Sequence, residues 1–361
     1  MMSFSRASIL GLTVVLAATA CESKPAEAPK PDPKMATPPP KPPEPAVTLE
    51  PAPPLPATPL GLPELKVPAD NPLTAEKVAL GKILFFDTRL SKDGSAACES
   101  CHHHEMGWTD GKALSTKVGG GVNKWHTPTL YNAGYLTAWY WDGRAPTLEK
   151  QITAAWKGQM GAEDQAAIAA KLNEVPAYKA HFQRAFSGPA TAENIPQALA
   201  SFVRTLRSGD SAWDKYEKGD KTAVSADAVE GFKVFTAKAQ CALCHAPPLY
   251  TDFGFHNIGV TVDKDKKPEE GRAGQTKDVS ETGAFKTPGL RSVTKSGPFF
   301  HDGGTATLDA AVAYMVAGGT KNEHLDKKLR AVKLSKKEMA QLMAFIGALE
   351  STETFEKPVV P

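Results

Sequence analysis

Four of the five cysteines in this 361-residue chain fall in two short runs, Cys98-Glu99-Ser100-Cys101-His102 and Cys241-Ala242-Leu243-Cys244-His245. Two thiols three positions apart, with a histidine next in line, can form two thioether bonds to a porphyrin and one bond to its iron. That is the attachment pattern of a c-type haem. A single run of this kind is also compatible with a zinc or redox site. Two of them, in a chain whose one other cysteine is Cys21, point to two covalent haems with His102 and His245 as proximal iron ligands. His103 and His104 follow His102 directly, so they lie on its side of the haem and are expected as exposed polar residues near the haem edge. What stands on the opposite face of each iron decides between an electron carrier and an enzyme.

The elements that must position these runs are helical. Thr74-Ala75-Glu76-Lys77 opens a helix with Val78, Leu80, Ile83, Leu84 and Phe85 at helical spacing, and it leads into the first run. Ala228 to Phe235 leads into the second in the same way. Further helices are expected over 163–175, 177–186, 192–206, 307–317 and 336–350, with a Gly-rich irregular segment over 250–305. Strand signals are few. The expected fold is mostly α, with two cytochrome c-like domains, 69–215 and 216–361, each around one covalent haem and joined by long irregular loops.

The N-terminus reads as a targeting segment. Arg6 precedes an apolar stretch from Ile9 to Ala18, which is shorter than the roughly 20 residues a bilayer span needs, so residues 1–21 read as a signal peptide. Ala18-Thr19-Ala20 suits ordinary signal peptidase, while small residues before a lone cysteine favour lipidation of Cys21. Residues 22–68 are crowded with Pro, Ala, Lys and Glu, a composition that favours a disordered, semi-rigid tether. The expected location is periplasmic, with a lipid as the only membrane attachment. A formal net charge of +2 gives no reason to expect nucleic acid as a partner.

Five phrases resemble one family, the bacterial di-haem cytochrome c peroxidases and their MauG-like relatives. They are Leu80-Gly81-Lys82-Ile83-Leu84-Phe85-Phe86-Asp87, Thr127-Pro128-Thr129-Leu130-Tyr131-Asn132, Trp141-Asp142-Gly143-Arg144-Ala145, Phe285-Lys286-Thr287-Pro288-Gly289-Leu290-Arg291 and Phe300-His301-Asp302-Gly303-Gly304. They occur in the family's order over residues 69–350. The resemblance implies a high-potential C-terminal haem with a methionine as second ligand, which falls on Met315 in the first turns of a helix, with Tyr314 as the MauG-type alternative. It implies that Trp141 relays electrons between the haems, that peroxide reacts at the N-terminal haem, and that His301 lines the cofactor.

In the peroxidases of this family a second histidine, on a mobile loop, binds the N-terminal iron. The matching region here, Lys117-Val118-Gly119-Gly120-Gly121, has none, which implies an open iron; His126, further along, is the remaining candidate. Gln151 matches a family glutamine, and Gln159 stands where the family has a glutamate. An amide can hold a water but cannot shuttle a proton at neutral pH, so Glu163 is the candidate stand-in. Arg144 and Arg291 are expected to pair with haem propionates. Asn123, Ser296 and Pro298 are expected around a calcium ion. The implied activity is reduction of hydrogen peroxide with electrons from a small cytochrome c or cupredoxin. The alternatives are a MauG-like oxidation of a partner protein and a non-catalytic electron-transfer cytochrome. Members of the family are often homodimers.

Overall fold

The structure is a computed structural model in which residues 47–265 and 267–361 are described; Cys21, the leader and residues 22–46 lie outside them. The helices are α1 (Ala75–Phe85), α2 (Leu148–Gly158), α3 (Gln165–Leu172), α4 (Pro176–Phe186), α5 (Asn194–Val203), α6 (Ala212–Glu217), α7 (Ala226–Lys233), α8 (Ala273–Thr276), α9 (Leu308–Val316) and α10 (Lys336–Gly347). One short antiparallel pair, β1 (Phe255–His256) and β2 (Phe285–Lys286), accompanies them. Most helix starts have a local cause. Thr74, Thr147, Ser225 and Thr307 each accept a hydrogen bond from the amide three residues on, while Ser335 and Glu338 cap α10 reciprocally.

The chain is built twice. Residues 127–148 and 287–308 correspond at a constant offset of 160. Thr127-Pro128 matches Thr287-Pro288, and Asn132 matches Ser292, both left-handed (φ 60° and 54°). Tyr140 matches Phe300, again left-handed (φ 66° and 68°). The bridge Trp139–Ala145 matches Phe299–Thr305, and the cap Thr147 matches Thr307. The same offset carries Trp141 onto His301, His126 onto Lys286 and Ala155 onto Met315.

Each half packs the helix that leads into its Cys-x-x-Cys-His run across its last helix. In the first, α1 crosses α5 where Gly81 meets the Ala198 carbonyl; in the second, α7 crosses α10 where Gly231 meets the Gln341 carbonyl. A Cβ at either glycine would lie 1.9 Å from that backbone oxygen, so the crossing needs a residue without one. Gly81→Ala and Gly231→Ala are each expected to destabilise the protein by about 1–3 kcal/mol, read as a lowered thermal midpoint. The first core gathers Leu80, Leu84, Phe85, Tyr178, Phe182 and Phe202; the second gathers Trp213, Phe235, Tyr250, Phe345 and Ile346.

Three expected boundaries shift. Trp213 of α6 belongs to the second core, so the halves part before residue 213 rather than at 215. The C-terminal tail returns to the first half, where Phe355 packs on Phe86, Trp108 and Phe202 and Lys357 pairs with Glu99 at 2.6 Å. The expected tether is docked over its described part. Arg207 donates to the Pro56 and Ala57 carbonyls, Leu60 N donates to Asp210, and Arg184 donates to the Leu49 carbonyl. Those partners lie more than a hundred residues away in sequence, beyond the reach of a compositional reading.

Candidate functional site

Each Cys-x-x-Cys-His run forms a 3₁₀ turn, Cys98–Ser100 and Cys241–Leu243. His102 Nδ1 lies 2.8 Å from the Trp108 carbonyl, and His245 Nδ1 lies 3.0 Å from the Tyr250 carbonyl. Trp108 (φ 63°) and Tyr250 (φ 56°) are both left-handed, which turns those carbonyls back onto the rings. A carbonyl partner fixes the proton on Nδ1 and leaves Nε2 as the free lone pair. Burial pulls His102 down to about 4, so its ring is neutral at physiological pH, as an iron ligand must be. The four cysteines are unbridged, and burial pushes Cys98 up to about 12 and Cys241 up to about 11. Two unbridged thiols on one turn with a single presented imidazole nitrogen is a donor set that fits a haem. A structural zinc site would need four converging ligands. Among the described residues the one cluster of three potential ligands is Cys244, Asp252 and His256.

The two halves meet through their repeated phrases. His126 N donates to the His301 carbonyl at 2.7 Å, and its counterpart Lys286 N donates to the Trp141 carbonyl at 2.9 Å. Trp141 Nε1 donates to the His126 carbonyl at 2.8 Å and meets the His301 ring edge-on at 6.4 Å. Trp125 and its counterpart Phe285 meet edge-on at 5.4 Å. Trp141 is therefore fixed at the junction between the halves.

The two halves differ at one repeated helix position. Met315 is half-buried in the last turn of α9, rather than its first turns as expected. Its counterpart in α2 is Ala155, which offers no ligand atom. At the end of α2 the Gln159 carbonyl accepts from Val118 N at 2.9 Å, which brings the Lys117–Gly121 loop against it. Gly119, Gly120 and Gly121 all have positive φ, and a Cβ on any of them would meet open space. Gln151 lies half-buried on α2, its carbonyl accepting from the Tyr140 hydroxyl.

His126 is buried, with Nδ1 bonded to the Lys112 carbonyl at 2.8 Å and Nε2 without a partner. Its counterpart Lys286 immediately precedes Thr287-Pro288, and the Pro288 carbonyl faces the His245 ring. The repeat thus puts His126 on the His102 side, where it also disfavours protonation of His102.

Several expectations need correction. Glu163 points outward, 72% exposed, and pairs with Lys157 at 3.2 Å, so it is not a proton shuttle in the interior. Arg291 is consumed elsewhere: its guanidinium grips both oxygens of Asp214 at 2.8 Å and donates to the Pro248 and Gly61 carbonyls. Arg144 pairs with Asp142 at 2.9 Å and lies 3.5 Å over the Tyr140 ring. His104 is enclosed rather than exposed, between Trp108 and Phe355, with its Nδ1 buried and unpartnered. The Tyr314 hydroxyl is occupied by the Ile258 carbonyl and Thr320. Asn123 N donates to the Ser115 carbonyl, while in the Ser296–Pro298 turn, with its cis Gly297–Pro298 bond, the Gly297 carbonyl accepts from the Thr109 hydroxyl. No hydrogen bond joins Asn123 to that turn among the described residues.

Three further side chains carry no local mark in the sequence. Lys286 is pulled down to about 7 by burial, its ammonium donating to the Ala138 carbonyl. His256 is clamped between Asp252 and Asp326. Glu269 accepts from Thr261 and Trp125 and meets His301 Nε2 at 2.7 Å. Burial alone would raise Glu269, but its hydrogen bonds, led by His301, hold it down to about 2. A carboxylate depressed from 4.5 contributes stability above pH 4.5 that is lost as pH falls towards 2, up to about 3 kcal/mol. Acid unfolding of Glu269→Gln is expected to lack that segment of pH dependence.

Known proteins share this arrangement. The profile of the di-haem cytochrome c peroxidases matches residues 75–222. The methylamine utilization protein MauG of Methylorubrum extorquens is 40% identical over 79% of this chain and 81% of its own length. The cytochrome-c peroxidase IdrP1 of Denitromonas iodatirespirans is 37% identical over 82% and 87%, and the cytochrome c551 peroxidase of Nitrosomonas europaea 33% over 82% and 86%. A solved MauG-like protein associated with microbial copper homeostasis superposes with a TM-score of 0.75 at 30% identity, covering 82% of this chain and 95% of that one. The chain belongs to the di-haem cytochrome c peroxidase and MauG family, and is a haem peroxidase of that family.

Proposed function

We propose that the two halves divide the labour of a peroxide-reducing enzyme, the first presenting an open iron and the second receiving electrons. The observation that carries this reading is the Ala155/Met315 difference at one repeated position. Covalently attached through Cys98, Cys101, Cys241 and Cys244, haem supplies the redox chemistry. Two electrons and two protons convert hydrogen peroxide into two waters.

This chain's residues supply the setting. His102 and His245 present Nε2 to the irons because their Nδ1 protons are committed to carbonyls. Met315 would hold the second haem through its thioether, a ligand that raises the potential of the iron it binds. Trp141, held by the His126 carbonyl, bridges the halves for electron passage. Gln151 and Gln159 orient water or peroxide beside the glycine loop. Neither amide transfers a proton at neutral pH, so the protons would have to come from solvent beside the glycine loop. The Arg6 and Ile9–Ala18 leader pattern and Cys21 support a periplasmic location with a lipid on Cys21.

A second reading, oxidation of residues on a partner protein, is favoured by the missing loop histidine and by the likeness to MauG. Steady-state assays separate the two. Catalytic consumption of peroxide with a reduced cytochrome c or cupredoxin supports the peroxidase. Single-turnover reaction with peroxide but no sustained consumption with either donor would refute it in favour of the second reading.

A further inference from the structure

The two attachment turns differ in what covers them. On the first, Glu99 is held by Lys357 and the returning tail lies alongside through Phe355. On the second, Leu243 sits between the two cysteines at 49% exposure, and Pro247 and Pro248 beside it are exposed as well. The second haem's attachment edge is therefore the one with an apolar, uncovered surface.

Charge gathers around that surface. Residues 321–337 carry seven lysines and arginines against Glu323 and Asp326, in a chain whose formal net charge is only +2. Asp326 is already engaged by His256. Lys327, Arg330, Lys333, Lys336 and Lys337 are exposed, and among these and Lys328 only Lys328 forms an ion pair among the described residues. The strip borders the turn at both ends. Lys328 Nζ reaches the Leu243 carbonyl at 3.5 Å, and Lys238, three residues before Cys241, pairs with Glu338 at 2.6 Å. The matching segment of the first half, 161–177, is the reverse, with one lysine against Glu163, Asp164 and Glu174.

We infer that this face is the docking surface for an acidic redox protein, one whose exposed metal centre is ringed by carboxylates around a small apolar contact. The inference rests on the reading that electrons enter at the second haem. A small apolar patch brings two redox centres close, and the basic rim steers the partner and sets its orientation. In the productive complex one electron passes from the donor's reduced metal to the ferric iron of the second haem. The donor is oxidised by one electron, and no bond forms or breaks.

The test uses the full protein carrying both haems, mixed rapidly with either a reduced acidic blue-copper protein or a reduced basic cytochrome c. Reduction of the two haems is followed separately by their spectra. The acidic donor is expected to react faster, with a rate that falls about tenfold or more between roughly 10 mM and 200 mM salt. In Lys327→Glu/Lys333→Glu, the rate with the acidic donor divided by that with a small uncharged reductant is expected to fall about tenfold and to lose its salt dependence. A faster basic donor, or an unchanged ratio in the variant, overturns the inference while leaving the electron-accepting role of the second haem standing. Reduction of the first haem before the second by either protein overturns that role itself, and the inference with it. Binding of the face to anionic lipid vesicles with no charge effect on donor kinetics would reassign the surface to a membrane.

Discussion

Ala155→Met is expected to close the first iron and to slow its reaction with peroxide by about 100-fold. Ala155 sits on α2 where Met315 sits on α9, after matching caps at Thr147 and Thr307 and matching bridges. Both positions are half-buried. A thioether placed there would compete with peroxide for the iron, and occupancy of about 99% would leave about 1% of the protein competent. The measurement is the second-order rate of the Soret change on mixing with peroxide, together with the spin state of the first haem. Unaltered rate and spin state would mean that the helices of the two halves do not stand in equivalent places over their haems.

The second large effect concerns stability. Asp214→Asn is expected to cost about 3–5 kcal/mol, because it leaves the Arg291 guanidinium buried without its counter-charge. Both side chains are essentially sealed, at 1% and 0% exposure. The pair ties together three parts of the chain. Asp214 is the N3 residue of the α6 capping box, Arg291 lies in the second half, and Gly61, whose carbonyl accepts from Arg291, belongs to the docked N-terminal segment. A Cβ on Gly61 would lie 1.8 Å from Asp214 Oδ1. Chemical denaturation of the haem-loaded variant measures the loss. Replacing both partners by apolar residues, Asp214→Leu/Arg291→Met, is expected to recover part of it, since no unpaired charge remains. A cost under about 1 kcal/mol for Asp214→Asn would show that the pair is solvated and the interior there open.

These two cases also show what a single sequence can reveal. The attachment turns, the helices that feed them and the helix carrying Met315 were legible because each is a local pattern. Spacing, caps and apolar period lie within a dozen residues of one another. The partner of Arg291 was not, because it stands 77 positions away in a helix of six residues with no signal of its own. Arg291 was therefore read as a propionate partner from its neighbourhood alone. Glu163 misled for a similar reason. Its proximity in sequence to Gln159 does not survive the turn at Gly161, which sends it to Lys157 and solvent. The return of Phe355 to the first half and the cross-pairing of His126 with His301 are long-range contacts with no local mark. The repeat at offset 160 was present in the sequence as Thr-Pro and Asp-Gly pairs. It became visible only once the matching left-handed residues and bridges were laid side by side.

The central claim is that the first iron has an open face while the second is closed by Met315. Electron paramagnetic resonance of the fully oxidised protein tests it directly, because it reports the two ferric irons separately. One high-spin signal is expected, from the haem at Cys98, Cys101 and His102, and one low-spin signal, from the haem at Cys241, Cys244, His245 and Met315. Two low-spin signals, with no high-spin component, would contradict it.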